Sequence, residues 1–67
     1  MTLKELLDTY FNLRVKIKVY ENYILDEMLK YAGEALDCPF WLVDFELCYG
    51  DGWRIEDEYL LIAVEML

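Results

Sequence analysis

A chain of 67 residues with a formal charge of −8 and no histidine, serine or glutamine excludes the Ser/His/Asp and Cys/His nucleophilic arrangements, because it has no imidazole to act as base. So short a domain also offers little depth for raising a carboxyl pKa, which argues against acid–base catalysis by a carboxylate pair and points to a non-enzymatic protein. With 58% apolar residues it lies outside the disordered class, although a domain of this size buries only about 60% of the surface its unfolded chain exposes.

Thr2-Leu3-Lys4-Glu5 has the form of a capping box, in which the threonine hydroxyl accepts from the Glu5 amide and the Glu5 carboxylate accepts from the Thr2 amide. Leu3, Leu6, Leu7, Tyr10 and Phe11 follow at three- and four-residue spacing, with Lys4, Glu5, Asp8 and Thr9 between them. This pattern predicts a helix over residues 2–11, ending near Asn12. Val15, Ile17 and Val19 then alternate with Arg14, Lys16, Lys18 and Tyr20, which predicts a strand with one core face and one basic face. Three basic residues on a chain this acidic are too few to hold a nucleic-acid backbone, and lysines on a solvated strand face commonly guard against edge pairing.

Two readings stay open for residues 23–36. Leu25, Leu29, Ala32 and Leu36 have helical spacing, with Asn22 as a cap. The favoured alternative turns a hairpin at Glu21-Asn22, pairs residues 23–31 with the first strand, and places a short helix over roughly residues 33–43. Pro39 suits a helix start and predicts a break near Cys38 in either case. Val43, Phe45, Leu47 and Tyr49 alternate with Asp44, Glu46 and Cys48 as a further strand, and Gly50-Asp51-Gly52 ends it. Trp53 and Ile55 resume the pattern, and Glu56-Asp57-Glu58 breaks it again. The nearly all-apolar residues 59–66 predict a central strand covered on both faces. No repeat or linker divides the chain, so residues 1–67 read as one α+β domain: an N-terminal helix packed on a small, mostly antiparallel sheet, with a short second helix near Pro39.

Cys38 and Cys48 fit no metal-ligand spacing, and no histidine is present to complete a zinc site. No signal-type opening or membrane-length apolar run is present, so a cytoplasmic location in a host cell, without membrane association, is expected. Two reduced, partly buried thiols are expected there, a Cys38–Cys48 bridge being the alternative. No cofactor is implied.

The charge is segregated. Residues 1–33 carry five acids and five bases, whereas residues 34–67 carry nine acids against Arg54 alone. An EF-hand reading of the carboxylates around Gly52 fails, because Leu47 and Tyr49 would occupy the first and third ligand positions, and only a weak adventitious cation site is left open. The preferred reading is a partner-binding surface made of Asp44, Glu46, Asp51, Glu56, Asp57 and Glu58, with Tyr49 and Trp53 as desolvated anchors. Against it, the acids can serve solubility alone, with Asp44 and Glu46 neutralising Lys16 and Lys18 across neighbouring strands. Eleven aromatics exceed what one small core takes, and the surplus predicts a foreign partner or a homodimer, the alternative being ordinary half-buried tyrosines with wet hydroxyls.

The opening Thr2-Leu3-Lys4-Glu5-Leu6-Leu7, the strand Val15-Lys16-Ile17-Lys18-Val19-Tyr20 and the close Tyr59-Leu60-Leu61-Ile62-Ala63-Val64-Glu65 together resemble small acidic proteins encoded by phages and prophages of Firmicutes, anti-CRISPR-like proteins among them. The resemblance covers most of the chain as a pattern, with Gly33 at the place of a glycine between second strand and helix, and carries no functional residue with it. It implies a phage-encoded inhibitor whose partner is a host protein with a basic, nucleic-acid-binding surface, such as a CRISPR effector, with no direct contact to nucleic acid.

Overall fold

The computed structural model describes residues 1–10, 14–48 and 52–66. Helix α1, Leu3–Tyr10, opens on the predicted capping box: the Thr2 amide donates to Glu5 Oε1 at 3.0 Å and the Glu5 amide donates to Thr2 Oγ1 at 3.2 Å. Leu3, Leu6 and Leu7 are buried while Lys4, Glu5, Asp8 and Thr9 face outward, as the spacing requires. Phe11 and Asn12, at the expected end of the helix, lie outside the described residues.

Four strands follow: β1 at Lys16–Glu21, β2 at Leu29–Glu34, β3 at Trp53–Glu56 and β4 at Tyr59–Val64. They form one sheet in the order β2-β1-β4-β3, antiparallel except for the β1–β4 pair. A four-residue helix α2, Phe40–Val43, follows Pro39. The fold is therefore α+β, with the expected N-terminal helix, mostly antiparallel sheet and short second helix. Strand β4 is internal and buried from Leu60 to Val64. Leu60, Ile62 and Val64 join Ile17, Val19, the α1 leucines and Leu42 in the core, while Leu61 and Ala63, on the opposite face, are buried as well.

That second covered face corrects one expectation. The alternation places Tyr20 with the lysines on the wet side of β1, yet it is only 4% exposed. It pairs with Ala63 across the parallel ladder, and the chain after β1 folds back over this side, where residues 22–25, Arg54, Cys48 and Ala63 line one cleft. Lys18, on the same face, lies over the Tyr59 ring at 4.5 Å. Only part of the face is therefore basic and wet.

The hairpin reading of residues 23–36 is right in kind and wrong in register. Strand β2 does pair back on β1, but it begins at Leu29, after a 3-10 turn at Asp26–Met28, and it runs on to Glu34. No helix fills residues 33–38; they hold the end of β2 and a second 3-10 turn at Ala35–Asp37. Cys38 is extended (φ −62°, ψ 131°), the conformation a following proline imposes. Gly33 has φ +155°, and a Cβ there would stand 2.8 Å from the Tyr31 hydroxyl, so the residue is tied to glycine by backbone and space alike.

The strand expected over residues 43–49 is also corrected. Val43 closes α2, and among the described residues of this stretch only Glu46 and Leu47 are bridged, to Thr2 and Val64 respectively. This short segment lies between the chain start and the end of β4: Leu47 N donates to Met1 O, Glu65 N to Glu46 O and Cys48 N to Ala63 O. Among the described residues, no helix is long and apolar enough to cross a membrane.

Candidate functional site

The described acids of the expected surface fall into two groups. Asp44 ends α2, and Glu46 lies beside the end of β4, where its carbonyl accepts from Glu65 N. Glu56, Asp57 and Glu58 form the β3–β4 hairpin tip at the other end of the same strand. Tyr59 and Glu65 are six residues apart on extended chain, about 20 Å, and the longest dimension of the molecule is 27 Å. The groups thus sit at opposite ends of the fold. Tyr49 and Asp51 lie outside the described residues.

At the hairpin tip all three acids are exposed, and Asp57 adopts the left-handed φ of 56° that a tight turn demands. Lys16 Nζ lies 3.7 Å from Glu58 Oε2 and Arg54 Nη2 lies 3.3 Å from Glu56 Oε2. Both pairs are exposed single contacts, the kind worth about 0–1 kcal/mol. At the other end the Met1 amino group donates to Glu46 Oε2 at 2.9 Å. That hydrogen bond, reinforced by the carboxylate charge, holds the amino pKa above its ordinary value. Asp44 and Glu46 do not neutralise Lys16 and Lys18, which lie on β1 toward the hairpin end.

Trp53 and Ile55 face Ile62 and Leu60 across the β3–β4 ladder, so they carry the core face out to the edge strand. Ile55 is nevertheless 68% exposed, and Trp53 is also exposed. Two aromatics absent from the expected site are more exposed than Trp53. Phe40, 92% exposed, and Trp41, 58% exposed, are adjacent in α2, with Trp41 edge-on to the Phe45 ring at 6.5 Å between centroids. Their signal was Pro39-Phe40-Trp41 at a helix start. A four-residue helix buries one stripe, here Leu42, and consecutive positions point about 100° apart, so both rings cannot enter the core.

Both cysteines are free and partly buried. Burial pushes the Cys38 thiol up to about 11. Burial, and then the Glu65 charge, also raises that of Cys48, whose Sγ donates to Asn22 O at 3.2 Å. Neither thiol has the low pKa of a reactive nucleophile. No protein-family model, curated protein or solved structure matches the chain.

Proposed function

We propose that this chain is a non-enzymatic, phage-type inhibitor that occupies a basic, nucleic-acid-binding surface of a host protein such as a CRISPR effector. The observation that carries the reading is the hairpin tip, where three consecutive carboxylates are presented on a tight turn with only exposed, exchangeable ion pairs. Such acceptors can transfer to a partner's Arg and Lys at little cost to the fold. The overall charge of −8 adds long-range attraction to a basic target and repulsion from nucleic acid. Trp53 and Ile55 on the same hairpin offer the apolar contact that charge alone lacks.

The test is competition with nucleic acid for a purified, guide-loaded CRISPR effector. The protein should displace DNA, with affinity falling steeply between ~50 and ~200 mM salt. Reversing Glu56, Asp57 and Glu58 to lysine should slow association by on the order of tenfold or more at low salt. Binding indifferent to salt and to the triple reversal would remove the basis for the reading. The exposure of Ile55 on an edge strand favours a second reading, a homodimer whose acids only confer solubility. Sedimentation of wild type against Ile55→Lys distinguishes the two, because a dimer built on this edge becomes monomeric on substitution.

A further inference from the structure

The groove between α1, the Ala35–Asp37 turn and α2 shares no lining residue with the hairpin tip. Its volume is about 410 Å³, toward the small end of the ~300–1,000 Å³ typical of ligand pockets. Leu7, Ala35, Leu36 and Val43 give it an apolar lining, with exposed Phe40 at its mouth. Cys38 also lines it, and its raised thiol behaves as a small apolar group. The charged residues on the lining are Asp8, Asp44 and Lys4, and Asp37 follows Leu36 in the chain.

An apolar slot with a net acidic rim selects its occupant by charge. A second copy of this chain would bring another net charge of −8 and another acidic rim, so like charges would meet wherever the apolar surfaces touched. A membrane surface of anionic lipid is disfavoured for the same reason. We infer that the groove docks a short amphipathic segment of a partner protein, in which one or two large apolar side chains are flanked by Lys or Arg. The apolar side chains enter between Leu36, Phe40 and Val43, and the flanking cations meet Asp8 and Asp44. This deepens the proposed reading and rests on it for the identity of the partner, because a basic host surface supplies such segments. It adds a second contact made by residues other than those of the hairpin tip, so the two surfaces would hold one partner bivalently.

The test uses the intact protein and a fluorescein-labelled ten-residue peptide of Leu and Phe spaced four apart among lysines, with its glutamate counterpart as control. The lysine peptide should shift amide resonances of residues 4–8 and 35–44. Leu36→Ala with Phe40→Ala, or Asp8→Lys with Asp44→Lys, should each weaken it by about tenfold or more. All four side chains are exposed, so the variants should keep the wild-type spectrum elsewhere. Shifts confined to residues 56–58, equal binding of the glutamate peptide, or no binding would overturn the inference. So would a dimer in light scattering that Phe40→Ala dissociates, since that assigns the groove to a second copy. The triple reversal at the hairpin tip should leave the peptide's shifts in place. Failure of the effector competition is thereby distinguishable from failure of the groove.

Discussion

Asn22 shows how much one residue can organise. Its backbone takes φ 62°, which asparagine tolerates better than most residues. The turn brings its side-chain amide against the chain end: Nδ2 donates to Met66 O at 2.9 Å and Oδ1 accepts from Met66 N at 2.8 Å. A side-chain amide reproduces the donor and acceptor of a peptide group, so Asn22 extends the β1–β4 ladder beyond Glu21–Val64 without further strand. Asn22→Ala should cost about 1–3 kcal/mol, since it strands both partly buried groups of Met66. Urea denaturation measures this, and a loss below ~0.5 kcal/mol would show that water replaces the amide. Cys38 makes a second prediction at this scale. With a folded pKa of about 11 against an ordinary 9.0, its thiolate population, and so its alkylation rate at pH 8, should be about 100-fold lower folded than in urea. Because the folded value is raised, the thiol's contribution to stability is complete below pH 9 and is lost as pH rises from there through about 11. Alkaline unfolding should begin in that window and shift upward in Cys38→Ala.

Elements with a strong local signal were legible in the sequence, and those decided by distant partners were not. The capping box and leucine spacing of α1 needed only neighbours three and four residues away. The apolar run of β4 likewise declared a strand covered on both faces. Over residues 23–36 the spacing alone leaves helix and strand open, because Leu25, Leu29 and Leu36 fit a helical stripe yet are exposed; pairing with β1 decides for the strand. The alternation over residues 43–49 failed for the opposite reason, since its backbone partners, Met1 and the end of β4, are far away in sequence. The α1 cap can be tested directly. The Thr2 amide, and after it the Thr2 hydroxyl, hold the Glu5 carboxyl below its ordinary 4.5. A depressed folded pKa means that the stabilisation is present above about pH 4.5 and fades as pH falls through the folded value. Thr2→Ala, which keeps the amide of residue 2, should cost about 1 kcal/mol with little dependence on pH, whereas Glu5→Gln should be less stable than wild type at pH 7 and that gap should narrow at pH 3. A gap unchanged between the two pH values would assign the cap to the hydroxyl alone.

The charge of the whole molecule was legible from composition, but its placement was not: Glu46 is tied to the end of β4 and residues 56–58 to its start, where the parallel β1–β4 pairing also sets the first residues of β1. The same pairing brings Lys16 beside Glu58, so the basic and acidic halves of the sequence are partly interleaved, and among the described aromatics Phe40, on the groove lining, is the most exposed. How far the interleaving offsets the net charge can be measured. Among the described residues, four ion pairs with N···O distances between 2.9 and 3.8 Å set about 0–1 kcal/mol each against the mutual repulsion of the chain's fourteen acids with six bases among them. At ~0.01 M salt the screening length, about 30 Å, exceeds the 27 Å long axis, so every carboxylate feels every other. At ~0.1 M it is about 10 Å, which spares the contact pairs and removes the repulsion between the two ends. The folded state, being the more compact, gains most from that screening. The melting temperature should accordingly rise by several degrees from ~0.01 to ~0.1 M sodium chloride and change little beyond. A fall over the same range would mean that the ion pairs outweigh the repulsion and that the exterior is electrostatically mixed, leaving no net anionic surface for a basic partner to recognise.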